Sequence, residues 1–182
     1  KNYLAPHCCF FIISAENRRP HVHGLVELQP DDFLLKPFTY QGIEKRFPRA
    51  LAKKRVLTNV YEAIGEKDVQ KAISGCNDVI KQDPKNALLA LRAKAELLIQ
   101  AGEFSKAKKI YESVLEGRSN TWALLGKAIS TFKMKDVFDA ESQLFELLER
   151  PDTRLEAYDW LGRLNISRQD TVTAFEMFIE AG

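Results

Sequence analysis

Residues 101–144 read AGEFSKAKKIYESVLEGRSNTWALLGKAISTFKMKDVFDAESQL, and Ala107 and Ala140 stand 33 residues apart in it, at matching places in two helical patterns. Working outward, Ala72 lies 35 residues before Ala107 and Ala174 lies 34 after Ala140. Such a period predicts a solenoid of helix pairs, with each alanine in the second helix of its unit. Four residues after each alanine comes a larger side chain: Cys76, Tyr111, Leu144 and Phe178. Sixteen residues before it come Val56, Leu91 and Tyr158; the third unit offers Trp122, eighteen before Ala140, which predicts a longer first helix or turn there. The reason for the spacing is steric. A small residue at the crossing lets two antiparallel helices approach, and the larger one a turn away fills the space beside them. Gly65, Pro84, Gly102, Gly117 and Pro151 punctuate the pattern. Each unit leaves an apolar face for its neighbour, so the last, ending at Gly182 without a polar capping helix, is expected to pair or to continue in a longer chain.

Upstream of the repeats the period changes. Cys8–Ile13 (CCFFII) is a short apolar run that fits a strand covered on both faces, and Phe33-Leu34-Leu35 is a second. Between them Arg18 to Leu28 fits one helix, with Val22, Leu25 and Val26 near one face and Gly24 weakening it. Lys36-Pro37 stops the second strand, and Thr39 is placed to cap a helix starting near Tyr40. The expected fold is therefore mostly α: a small α/β segment, residues 1–50, followed by an α-solenoid of about four units over residues 51–182.

Composition narrows the function classes. The 182 residues are 45% hydrophobic and 29% charged, ordinary globular usage, and the net charge of +2 argues against a whole-chain attraction to nucleic acid or anionic membrane. The longest apolar run is too short to span a bilayer, and no signal-peptide cleavage pattern follows it. Three cysteines, two of them adjacent, do not make a disulfide framework, so a reducing, cytoplasmic setting is expected.

The fragments Trp122-x-x-Leu125-Gly126, Tyr158-x-x-Leu161-Gly162 and Ala107-x-x-x-Tyr111 resemble the tetratricopeptide repeat, with Pro84 at a unit's end and Gly102 in the turn between two helices. The resemblance implies a protein partner held on the concave surface made by the first helices. Aligned to the markers, Arg92, Glu96, Lys127, Asp159 and Arg163 fall on or near that surface. Their signs alternate, and Asp159 and Arg163 have the i,i+4 spacing to pair with each other.

Residues 9–38 carry a second resemblance. Phe11-Ile12-Ile13-Ser14-Ala15-Glu16 and Asp31-Asp32-Phe33-Leu34-Leu35-Lys36-Pro37-Phe38 are similar in order and separation to the C-terminal half of the flavodoxin-like receiver domain of two-component response regulators. It implies that Lys36 pairs with phosphoryl oxygens, that Ser14 hydrogen-bonds one of them, and that Phe33 is the aromatic switch whose ring moves inward. The chemistry fits: strand ends of an open α/β sheet converge on one crevice, and a phosphoryl group needs a cation and a hydroxyl. The resemblance further implies Mg²⁺ only in a complete receiver, and a histidine kinase as the partner of a full-length parent. The acidic pair and the phosphoacceptor aspartate of such domains would fall before Lys1, so this polypeptide is not expected to be phosphorylated on aspartate. A half-receiver would also need cover for Phe10, Ile12 and Leu34, from a second copy exchanging or pairing strands in a homodimer, or from the first repeat.

Other constellations are bland. Cys8 and Cys9 point to opposite faces of a strand and do not chelate one ion, and His21 and His23, two residues apart on an expected helix, do not share a side. No catalytic order or phosphate loop stands out, so the chain reads as no enzyme, with no cofactor of its own. Lys45, Arg46, Arg49, Lys53, Lys54 and Arg55 form a local basic cluster, a solvated helix face more readily than a nucleic-acid site. The leading expectation is a signalling protein whose receiver controls docking through the repeats. The alternative is a phosphorylation-independent assembly adaptor or dimerisation module.

Overall fold

The computed structural model describes residues 8–15, 31–117 and 119–182. Two strands, β1 (Phe11–Ser14) and β2 (Asp32–Leu35), pair in parallel with Phe11 opposite Asp32 and Ser14 opposite Leu35. The helix expected over residues 18–28, with His21 and His23, lies outside the described residues. Among the described strand residues only Leu34 is buried, while Ile13 and Leu35 are 48% and 43% exposed, so the cover expected on both faces is incomplete there.

Helix α1 (Tyr40–Val56) starts where Thr39 predicts: the Thr39 hydroxyl accepts from the Gly42 N–H. Phe47, Ala50 and Lys54 lie along one of its faces, with Phe47 half-exposed. The Phe47 ring stacks on Phe11 at 5.9 Å between centroids, Ala50 is buried, and the Lys54 ammonium lies 2.9 Å from the Asp31 carboxylate, which also accepts from the Phe10 N–H. A division between residues 50 and 51 therefore falls inside α1. The helix runs six residues further, to Val56, and its last turns carry that ion pair.

Eight further helices follow among the described residues: α2 (Thr58–Gly65), α3 (Val69–Gln82), α4 (Ala87–Gln100), α5 (Phe104–Gly117), α6 (Thr121–Lys133), α7 (Val137–Leu148), α8 (Arg154–Ser167) and α9 (Thr171–Ala181). In chain order they make four helix–turn–helix segments. The marker alanines 72, 107, 140 and 174 fall in α3, α5, α7 and α9, and all four are wholly buried. Two compact units result, one holding the strands and the helices as far as Ala101, the other the helices from Gly102 onward.

Every turn inside a segment has three residues, and the middle one has a positive φ: Lys67 (60°), Gly102 (77°), Lys135 (70°) and Gln169 (65°). Each sits five residues before its alanine. In three turns the next residue is an aspartate, Asp68, Asp136 or Asp170, whose carboxylate accepts from the N–H three residues on. Backbone bonds from Asp68 to Ala63, Asp136 to Thr131 and Asp170 to Asn165 close the preceding helices. The turn of the third segment is therefore no longer than the others, and α6 is no longer than α4 or α8, contrary to the expectation from Trp122. Its counterpart at the crossing is Ala128, twelve residues before Ala140, as Val60 and Gly162 are twelve before Ala72 and Ala174.

The cores show how the crossing is kept tight. In the first unit Leu57, Val60, Ala63, Ala72, Cys76, Ala90 and Leu97 pack together. Val60 is bulkier than its counterparts, and Gly75 on α3 leaves the room: a methyl there would sit 3.1 Å from Val60 Cγ2. Cys76 is fully covered, and burial pushes its thiol up to about 11. In the second unit Ala128, Ala140, Leu144, Leu147, Ala157, Leu161 and Leu164 form the core. The two Leu-Gly pairs are not equivalent. Gly126 takes the ring of Tyr111 from the preceding helix α5, whereas Gly162 takes that of Phe178 from the following helix α9.

A Cβ at Gly126 would lie 2.3 Å from the Tyr111 ring, which is buried and held edge-on to Trp122 at 5.8 Å. Gly126→Ala is expected to lower stability by about 1–3 kcal/mol through overpacking. Lys135→Gly, which relieves a left-handed residue, is expected to raise it by about 1 kcal/mol. Urea unfolding followed by helical ellipticity reads both; a stabilising Gly126→Ala would contradict the packing described.

Candidate functional site

At the strand ends the backbone brings together the residues expected to meet there. Lys36 N donates to the Ser14 carbonyl at 2.8 Å, so Ser14 and Lys36 leave adjacent parallel strands at the same end. Lys36 is exposed and Ser14 half-buried. Phe33, opposite Ile12, is half-buried on the same side of the sheet as Ser14, away from the Phe11 ring that α1 covers. Its carbonyl accepts from the Arg46 guanidinium, which also reaches Asp32 at 3.3 Å. Asp31 and Asp32 lie at the opposite end of β2 from Lys36, and both carboxylates face cations of α1. They do not fit a Mg²⁺ site beside Ser14. The same contacts draw Arg46 and Lys54 out of the basic cluster of residues 45–55, and Lys54 is only 7% exposed.

On the first helices, the expected groove residues pair locally. Arg92 and Glu96 of α4 bond at 3.1 Å, and Asp159 and Arg163 of α8 at 2.7 Å, each within one helix turn. Lys127 of α6 is half-buried, and its carbonyl accepts from the Thr131 hydroxyl. Arg92 and Glu96 belong to the first unit, the other three to the second.

Two aromatic residues that the sequence did not single out organise these charges. Tyr61 of α2 lies under the Lys54 ammonium, 5.7 Å from its ring centroid. Burial, then the fields of Asp31 and Glu96, push its phenol up to about 12. In the second unit the ring of Trp160 on α8 meets Phe132 edge-on at 6.1 Å, with the Arg163 guanidinium 5.0 Å and the Lys133 ammonium 5.8 Å from its centroid. A half-buried indole with two cations over it is a surface suited to aromatic and acidic side chains. The i,i+3 spacing of Trp160 and Arg163 was the available signal; the Lys133 contact depends on the packing of α6 on α8.

A profile for the tetratricopeptide repeat matches residues 63–127. Over those residues the chain is similar to tetratricopeptide repeats. Among solved structures it is similar to a tetratricopeptide repeat protein from Parabacteroides merdae ATCC 43184, at 19% identity and a TM-score of 0.57. The match covers 71% of this chain and 52% of that one, so the likeness concerns the fold and about half of the other protein. No curated protein matches the chain. A tetratricopeptide array is a protein-interaction module in general, and the described residues contain no helix long and apolar enough to cross a membrane.

The Tyr61 phenol sets a pH signature. Its folded value lies above the ordinary value near 10, so between about 10 and 12 the folded chain keeps a proton that the unfolded chain has lost. Stability is therefore expected to fall as pH rises through that window, and Tyr61→Phe to flatten the fall. An unchanged slope in Tyr61→Phe, measured by urea midpoints from pH 9 to 11.5, would show that other groups set it.

Proposed function

We propose that the chain docks a protein partner on the first helices of its repeats, and that the strand segment in front of them relays a response-regulator type of input to that docking. One observation carries the reading. Lys54 grips Asp31 at the foot of β2 while lying over Tyr61 of the first repeat, so a shift of the sheet reaches the repeats through a buried charge. Support for the input comes from Ser14 and Lys36 at neighbouring strand ends, with Phe33 on the same side. In this reading Lys36 and Ser14 hold the phosphoryl group of an aspartate on an upstream strand, a histidine kinase supplies it, and Mg²⁺ binds upstream residues. Within the second unit the proposed docking surface takes Lys127, Asp159 and Arg163 with Trp160 as an aromatic anchor; within the first it takes Arg92 and Glu96 with Tyr61.

The adaptor reading, without phosphoryl input, draws on a different observation: the profile match falls entirely in the helices, and Asp31 and Asp32 are engaged by cations of α1. Affinity capture with the chain, compared with Trp160→Ala and Arg163→Glu, tests the docking. Loss of the captured protein by tenfold or more in both variants is expected; retention in both would remove the first helices from the docking surface. A polypeptide extended upstream and treated with a small phosphodonor separates the two readings. A changed affinity for the same partner supports the relay, and an unchanged one the adaptor.

A further inference from the structure

The second helices of the last two segments share an exposed pattern that core packing does not explain. Phe138 stands two residues before Ala140 and Phe145 five after it; Val172 and Ile179 hold the same two places around Ala174. The four are 82%, 51%, 71% and 60% exposed. A spacing of seven puts each pair on one face of its helix, about 10 Å apart along the axis. The corresponding residues of the first two segments are polar: Gln70 and Asn77, Ser105 and Glu112. Nor is this merely the open end of the array. Phe138 and Phe145 stay exposed although α8 packs beside α7, so these positions point away from the seam between neighbouring segments.

The electrostatics name the occupant. Helices α7 and α9 contain Asp139, Glu141, Glu146, Glu176 and Glu180 and no lysine or arginine. Asp139 is held by Lys108, and Glu141 by Arg168 through both guanidinium nitrogens. Glu146 and Glu180, next in sequence to Phe145 and Ile179, repeat at the array period and are exposed. Two exposed apolar pairs, each followed by an exposed carboxylate, are complementary to a helix with an apolar face and basic flanks. A second copy of this chain is a poor fit, since a two-fold contact would set these carboxylates against their own kind. An anionic bilayer is repelled for the same reason.

We propose that the outward faces of α7 and α9 form a second docking surface, which takes an amphipathic helix rich in lysine and arginine from a partner protein. It uses the second helices and stands independently of the docking proposed for the first. The probe is a labelled peptide of about 18 residues, five helical turns, with leucine on one face and lysine on the other, beside its leucine–glutamate counterpart. Fluorescence anisotropy with the full chain is expected to show the lysine peptide bound at least tenfold more tightly than the glutamate peptide. Phe138→Ser with Val172→Ser is expected to weaken it at least tenfold. Glu146→Lys with Glu180→Lys should reverse the preference, while Glu112→Lys, outside the patch, leaves it as it was. Equal binding of the two peptides, or wild-type affinity in the Phe138/Val172 variant, overturns the proposal. So does sedimentation showing a dimer that this variant abolishes, or co-sedimentation of the full chain with phosphatidylcholine vesicles that this variant abolishes, which would make a second copy or a membrane the occupant. Should the serine variant lose helical ellipticity, the charge reversal alone decides.

Discussion

The close approach of paired helices at a wholly buried alanine is the constraint on which the repeats depend. Ala72, Ala107, Ala140 and Ala174 have no exposed surface, and anything larger would force the helices apart. The residue twelve places earlier answers to the same constraint. It is alanine or glycine in the third and fourth segments, and where it is Val60, in the first, the missing volume reappears as Gly75 across the contact. The turns obey it too. Each has three residues with the middle one left-handed, and returns the chain for the second helix of its segment.

The foot of β2 is tied to the end of α1 and to the first repeat through a single buried charge. Lys54 is nearly buried, and its ammonium has a carboxylate on one side and an aromatic face on the other. A buried ion of this sort contributes little net stability when complete and is expensive to leave unpaired. It therefore acts as a geometric pin: the foot of β2, the end of α1 and the start of the first repeat hold one arrangement together.

Much of this was legible in the residues. The alanine period located every second helix, Thr39 located the start of α1, and the i,i+4 spacing of Asp159 and Arg163 anticipated their pairing. What was not legible has a common physical cause. Trp122 stands out in the third segment because it is large, but the position that sets the register is small, and Ala128 looks like any helical alanine. The basic run at residues 45–55 reads as one surface in sequence, yet Lys54 turns inward to an aspartate 23 positions earlier, a contact that no local spacing encodes. Trp160 was passed over for the same reason, since one of its two cations comes from another helix. The apolar run of residues 8–13 signals a strand; the number of strands beside it depends on residues elsewhere.

Cys76 gives the molecule an internal clock. Its sulfur is sealed between α2, α3 and α4 and kept in the unreactive thiol form by burial. Alkylation there must wait until α3 parts from its neighbours, so in a chain whose half-exposed Cys8 and Cys9 are replaced, the labelling rate counts openings of the first repeat. Because α2 is also the helix that carries Tyr61 beneath Lys54, that rate would report, under native conditions, how firmly the strand segment holds the first repeat shut.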